Sequence, residues 1–329
     1  MRPLPTLTSA TALAPSSVSE LVKDTRRIVV VGAGGWVGRV LLRGLHSALG
    51  VDAFSERVFA FGSSSRMIDL GDAITIAQRP LDELACLHPQ PTVLFHLAFL
   101  TKDKVAFIDR DEYRETNRAV SSNVLEALSA IGADRLFVAS SGAAAFADDP
   151  SASEDLRIYG ALKREDEDRF VAWAEADTGR RAVVTRIYNL TGPFINKHET
   201  YALASFIIDA LARRPISVRA PMRVVRSYVA IRELVSLVLC QLLGSGGVPV
   251  CRYDSGGEVL ELREVAAEVA RALGGTVVRA PITESLHNIY TGDAETYASL
   301  LEAAGIASVP LGQQILETAI TIAPELHLR

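Results

Sequence analysis

The sequence predicts a doubly wound α/β fold, a parallel sheet covered by helices on both faces, and three observations carry that expectation. From Arg26 onward, short β-branched runs alternate with longer amphipathic stretches. The runs are apolar throughout rather than alternately polar, as strands buried on both faces must be. A glycine-rich segment joins the first run to the first long helical stretch. With 329 residues, 49% of them hydrophobic and 22% charged, the chain is long enough for two compact lobes.

In order, residues 1–25 are rich in Ser, Thr, Pro and Ala and read as a flexible lead-in, not a signal peptide, because no continuous apolar stretch leads to a cleavage site. The run IVVVGAGG then opens a helix reaching Leu49. The runs RVFAFG, AITIAQ and TVLFHLAF follow, and YRETNRAVSSNVLEALSAIG has helical spacing. After RLFVASS comes a small-residue loop, then the helical YGALKREDEDRFVAWAEAD and the strand-like RRAVVTRIYNL. Beyond Asn189 the rhythm changes: TGPFINKHE is loop, YALASFIIDALARR is helical and PISVRA strand-like. This predicts a dinucleotide-binding-type domain over 26–189 plus 225–257. A smaller C-terminal α/β lobe would take 190–224 plus 258–329.

Composition excludes several classes of function. A formal net charge of -5, with Arg scattered along the chain, offers no basic stripe for a phosphate backbone, so nucleic acid is not an expected partner. Cys86, Cys240 and Cys251 lack CxxC spacing and read as reduced core thiols of a cytoplasmic protein. The six histidines are dispersed, so no metal is expected. No run is long and apolar enough to span a bilayer, and no membrane partner is expected.

Gly32, Gly35 and Gly38 stand between the strand IVVV and a helix with apolar positions at Val37, Val40, Leu41, Leu45 and Leu49. Glycine there permits the tight turn, close approach of backbone to a pyrophosphate, and close helix–strand packing, while the helix N-terminus offers free N–H groups. A dinucleotide is the expected ligand. The acidic residue that would bind the adenosine ribose should end the second strand, but that strand runs VFAFGSSSR. Ser63, Ser64, Ser65 and Arg66 supply hydroxyls and a fixed cation instead, which suits a 2′-phosphate and predicts NADP(H) in preference to NAD(H). A polar turn with a solvated Arg is the plainer alternative.

Tyr159 and Lys163 lie four apart at the start of a helical pattern, so both reach one face. A phenol is a poor acid–base catalyst at neutral pH, but an adjacent ammonium and an oxidised nicotinamide would bring it closer to working pH. Only five of the 34 basic residues are Lys, and Lys alone offers a compact, tunable ammonium, so its use here favours function. Ser141 ends LFVASS at the carboxyl edge of the sheet, where it can hydrogen-bond a carbonyl or simply form the turn. Asn117 and His96, taken singly, read as capping or core residues, and His96 is expected to be core.

The ordered set GAGGWVG, HLAF, ETN with NVLEAL, FVASSG, YGALK, RIYNLTGP, RSYVAI and DSGGEVLELREVA resembles the extended short-chain dehydrogenase/reductase superfamily of the NAD-dependent epimerase/dehydratase type over residues 26–329. The resemblance implies catalytic Tyr159 and Lys163, a carbonyl-binding Ser141, and Asn117 supporting a proton relay beneath Lys163. It places the cofactor against Gly32, Gly35, Trp36, Val37, Gly38, Leu97, Ala98 and Phe99 as well as Tyr159 and Lys163. It further implies that Asn189 and Arg226 contact the substrate, typically a nucleotide diphosphate sugar, and that the protein is a homodimer. A planar guanidinium suits a diphosphate because it donates two parallel hydrogen bonds.

Three departures from the family pattern shape the functional expectation. GAAAF follows Ser141, where dehydratases of this kind place an Asp-Glu pair, so elimination of water is not expected. EDLRIYG lacks the common proline before Tyr159, and SSGAAAF replaces a tyrosine-containing turn. The ribose-binding acid is missing. Since a reductase exchanges its cofactor with the NADPH pool, the expectation is a ketoreductase, preferably of a 4-keto-6-deoxy nucleotide sugar, with Tyr159 as proton donor. A nucleotide-sugar 4-epimerase with a recycled cofactor is the alternative, and a non-catalytic dinucleotide-sensing regulator the third reading.

Overall fold

The computed structural model describes residues 3–105, 107–198 and 200–327. The large sheet is built from β1 (Arg27–Val31), β2 (Val58–Gly62), β3 (Arg66–Asp69), β4 (Thr75–Pro80), β5 (Thr92–His96), β6 (Ala133–Ser141), β7 (Arg181–Ile187) and β11 (Val250–Asp254). Their spatial order is β11-β7-β6-β5-β1-β2-β4-β3. All neighbours pair in parallel except β3, which runs antiparallel along the β4 edge. From β1 the chain winds outward through β2 and β4, then crosses back to β5 on β1's other side. The carboxyl ends of β1 and β5 therefore flank the crevice where open α/β sheets bind ligands.

Helices cover both faces, as five fully buried residues in β1 and in β5 require. One face carries α3 (Trp36–Arg57, interrupted at Gly50, φ 76°) and α7 (Ile231–Leu243), which bury Val40, Leu41, Leu45, Leu234 and Val238. The other carries α4 (Arg110–Ala130) and α5 (Glu154–Glu175), burying Val124, Leu128, Phe170 and Trp173.

The N-terminal segment corrects the sequence expectation, because it is folded rather than a flexible lead-in. It forms α1 (Leu7–Ala10), capped by the Thr6 side chain, and α2 (Pro15–Lys23), which starts on a proline. Helix α2 packs on α3 and α7 with Leu21 wholly buried. Ala14 N donates to Ser236 Oγ (2.9 Å), and Arg43 Nη2 donates to Thr8 Oγ1 (2.9 Å). Tertiary burial of Ala10, Leu13 and Leu21 overrides a composition that looks disordered in isolation.

The second lobe is centred on a small sheet of β12 (Glu258–Glu261), β10 (Arg223–Ala230) and β14 (His287–Tyr290), with β8 (Asn189–Thr191) also on β10. A separate pair joins β9 (Ile216–Val218) to β13 (Val277–Arg279). The helices α6 (Ala202–Leu211), α8 (Leu262–Leu273) and α10 (Leu311–His327) enclose its core. The expected segment 225–257 of the first domain is corrected in part: β10 lies in the small sheet, and only α7 and β11 return to the large one. Helix α9 (Ala294–Ala303), expected in the second lobe, packs Tyr297 and Leu301 against the large sheet's core. Alternation alone could not assign β10, whose pattern suits either sheet. Cys240 and Cys251 are half-buried and Cys86 is exposed, so Cys86 is not the core thiol expected; all three are free. Among the described residues no helix is long and apolar enough to cross a membrane.

Candidate active site

At the end of β1 the chain turns through Gly32, whose φ of 86° is left-handed. A Cβ there would lie 2.6 Å from Ala98 N and 2.7 Å from the Leu97 carbonyl carbon, so the loop after β5 rests directly on this glycine. Gly38 is equally constrained, its Cβ position lying 2.5 Å from Ala33 O. Gly35 caps α3 with no side-chain hydrogen bond, and Trp36, Val37 and Gly38 line the adjoining cavity. The first-turn N–H groups of α3 thus face open space at a positive helix end, the arrangement a pyrophosphate requires. The Trp36 side chain turns toward the second lobe, donating Nε1–H to Pro193 O (2.8 Å) and packing edge-on against Tyr201.

Ser63, Ser64, Ser65 and Arg66 are exposed outside this cavity. Arg66 opens β3 opposite Gln78 and folds its guanidinium over the glycine loop, so that a Cβ at Gly34 would collide with it. Gln78 fixes the turn by donating Nε2–H to Ser64 O (2.7 Å). Arg66 is therefore brought over the loop, while Ser63, Ser64 and Ser65 follow the end of β2.

The cavity, of about 630 Å³, lies between the lobes and gathers Ser141, Tyr159, Lys163, Leu97, Phe99, Asn189 and Arg226. Ser141 ends β6, its Oγ accepting from Ala143 N (3.2 Å) and lying 3.3 Å from the Tyr290 hydroxyl. A short 3₁₀ turn over Gly142–Phe146 follows, and α5 approaches it so closely that a Cβ at Gly160 would strike Ala143 O. That contact brings Tyr159 beside Ser141. Lys163 is buried, donates to Ala139 O (2.8 Å) and sits 3.7 Å above the Phe99 ring.

Burial pushes the Tyr159 phenol well above its ordinary value, and a hydrogen bond with Ser141 offsets this only in part. Burial pushes Lys163 down to about 8, against the pull of Asp166 and Glu167. Lys163 gives one of its three N–H groups to a backbone carbonyl, and burial favours the protonated phenol. Asn117 Oδ1 accepts from Leu100 N (2.7 Å) and its Nδ2 donates to Tyr113 O (3.2 Å), fixing the loop after β5. Ala98 touches Gly32 without lining the cavity.

On the opposite wall, register does the assembling. On β10, Tyr228 pairs with Asn189 and Arg226 with Tyr290. Asn189 donates to Ser227 O (3.0 Å). Arg226 donates to Val225 O and Asn288 O (2.8 and 3.0 Å), and no carboxylate pairs with it among the described residues. Sequence reasoning missed Tyr188 and Tyr290, which line this wall with ring centroids 4.7 Å apart, and Lys102 and Lys197 at the cavity edge. Tyr188 adjoins Asn189 at the break between β7 and β8, a detectable signal. Tyr290 ends a four-residue strand too short for periodicity to reveal.

A doubly wound sheet with a glycine loop at its switch point defines a dinucleotide-binding protein. The sequence profile of the NAD dependent epimerase/dehydratase family matches residues 28–247, two thirds of the chain, and the protein is an enzyme of that family. Its cofactor is an NAD(P) dinucleotide. An epimerase from Methanothermobacter thermautotrophicus has the same fold, with TM-score 0.71 and 16% identity over 95% of this chain and 97% of that one. UDP-glucose 4-epimerase from Thermus thermophilus, in complex with NAD, gives 0.64 and 22% over 90% and 98%. The Thermotoga maritima UDP-glucose 4-epimerase with UDP-glucose gives 0.67 and 18% over 91% and 99%. No curated protein matches the chain.

Proposed function

We propose that the protein oxidises and re-reduces one sugar carbon of a nucleoside diphosphate sugar, with 4-epimerisation as the net reaction. The observation that carries this reading is the meeting of Ser141, Tyr159 and Lys163 in a cavity whose far wall presents the Arg226 guanidinium with no carboxylate partner among the described residues. The UDP-sugar 4-epimerases among its structural neighbours shift the balance from reduction, which the sequence favoured, toward epimerisation. When bound, the nicotinamide supplies the hydride acceptor and donor. Tyr159 moves a proton at the sugar oxygen, and Ser141 Oγ hydrogen-bonds the same oxygen. Lys163 keeps positive charge beside the phenol. Arg226 suits the diphosphate, to which it can donate two parallel hydrogen bonds.

A second reading, NADPH-dependent ketoreduction, is favoured by one observation, the guanidinium of Arg66 lying over Gly34 of the glycine loop. Incubation with UDP-glucose and UDP-galactose distinguishes the two. Epimerisation yields the other hexose without net loss of NAD(P)H, whereas stoichiometric NADPH consumption with a keto sugar establishes the reductase. Cofactor binding without turnover of either would overturn both and leave a dinucleotide sensor.

Cofactor choice has its own test. Arg66→Ala is expected to weaken NADPH binding about tenfold or more, the worth of a charge-assisted hydrogen bond to phosphate, and to leave NADH binding unchanged. Fluorescence titration reads both constants. Equal losses for the two nucleotides would remove the preference for NADP.

A further inference from the structure

Beside the catalytic helix lies a buried polar pair that the proposed chemistry does not use. His96 closes β5 immediately before the loop that rests on Gly32, and Asp166 stands one turn beyond Lys163 on α5; they are 2% and 3% exposed. His96 Nε2 and Asp166 Oδ2 face each other at 3.8 Å, beyond hydrogen-bond distance. Both His96 nitrogens and Asp166 Oδ2 lack a hydrogen-bond partner among the described residues. Apolar side chains would fill this space at lower cost, so the pair needs a reason to be there.

Its surroundings supply one. Of the two carboxylates near Lys163, Glu167 is already committed: Arg186 donates to both its oxygens (2.9 and 2.8 Å) and Ser140 Oγ donates to it as well. Asp166 has no Lys or Arg within ion-pair distance among the described residues, and His96 faces it at 3.8 Å. Burial pushes the imidazole below its ordinary value, so His96 is a neutral donor at pH 7 and not a competing cation. Burial also opposes ionisation of Asp166, but His96, Lys163 and Ser121 of α4 together hold its carboxyl below the ordinary value. Arg169 faces His96 from the next turn of α5, and the Ala139 carbonyl of β6 and the Phe99 ring complete the shell around Lys163.

We infer that Asp166 is a positioning residue for catalysis, its carboxylate being the counter-charge that keeps Lys163 an ammonium ion seated between Ala139 O and Phe99, with the neutral His96 packed beside that carboxylate. The inference rests on the reading of Lys163 as Tyr159's partner. Asp166 stands one helical turn from Lys163 with both side chains buried, and an opposite charge so placed in a poorly solvated site favours the charged form, whereas Glu167, which also pulls on Lys163, shares its charge with Arg186.

The full-length chain labelled with 13C-lysine tests this directly, because only five lysines contribute signals and Lys163→Arg assigns the one required. In the wild type the Lys163 signal titrates near 8. In Asp166→Asn the midpoint falls by about one unit, while Asp166→Glu retains it. Turnover follows the same sign. The active ammonium is lost as pH rises through the Lys163 midpoint, so the basic limb moves down, sparing activity at pH 6 and cutting it about fivefold at pH 8. A purely structural role would lower activity evenly across pH. Should Asp166→Asn not fold, Asp166→Ser removes the same charge. An unmoved Lys163 midpoint in either folded variant overturns the inference. That titration needs no substrate, so failure of the nucleotide-sugar reading is seen separately, as absent turnover with a normal Lys163 response.

Discussion

Tyr159→Phe is expected to bind NAD(P)H as the wild type does and to turn over about 10²–10⁴-fold more slowly. The substitution removes only a hydroxyl. The ring contact with Phe99, at 5.8 Å between centroids, and the helical position beside Ser141 both survive. What is lost is the phenolic proton beside Ser141 in the cavity between the glycine loop and Arg226. Oxidation and re-reduction each need the phenol to take up or return a proton at the sugar oxygen, and the variant can do neither. The loss should fall on kcat more than on KM, since Asn189 and Arg226 still contact the substrate under the proposed reading. Steady-state kinetics alongside cofactor titration check both halves. Unchanged kcat would remove Tyr159 from the chemistry, and lost cofactor affinity would show that its hydroxyl holds the cofactor instead.

The parts of this site legible in the sequence are those that local rules determine. Gly32, Gly35 and Gly38 were legible because a strand-to-helix turn at a sheet edge demands glycine, and the structure shows what each position would collide with. Tyr159 and Lys163 were legible because four residues on a helix share a face. The contacts those residues make depend on burial and register, which spacing does not encode. Lys163 turned out to bond Ala139 O, and Asn117 to brace Leu100. Tyr290 reaches Ser141 across 149 residues because β14 pairs with β10 in one register. The N-terminal helices were missed for the same reason: Leu21 is buried by partners on α3 and α7 that composition cannot supply. Arg66 lies between these cases, since its identity was readable but its position over Gly34 came from the β3–β4 hairpin.

The second large effect expected is at Gly32, where Ala should weaken NAD(P)H binding at least tenfold and lower thermal stability. Two costs coincide there. An L-residue at φ 86° is strained by about 1–2 kcal/mol. The new Cβ also lies 2.6 Å from Ala98 N, a backbone atom that cannot rotate away, so the loop from Leu97 to Phe99 must move. That loop carries the ring beneath Lys163 and is braced by Asn117, so its displacement reaches the catalytic residues as well as the pyrophosphate cradle. Gly50→Ala separates the two costs. Gly50 has a similar φ of 76° but no atom within 4 Å of its Cβ position, and it interrupts α3 far from the cavity. It should lose stability by strain alone and keep its cofactor affinity. Paired melting curves and NAD(P)H titrations decide the matter: equal cofactor binding in Gly32→Ala and Gly50→Ala would mean that contact with Leu97 and Ala98 does not shape the cradle.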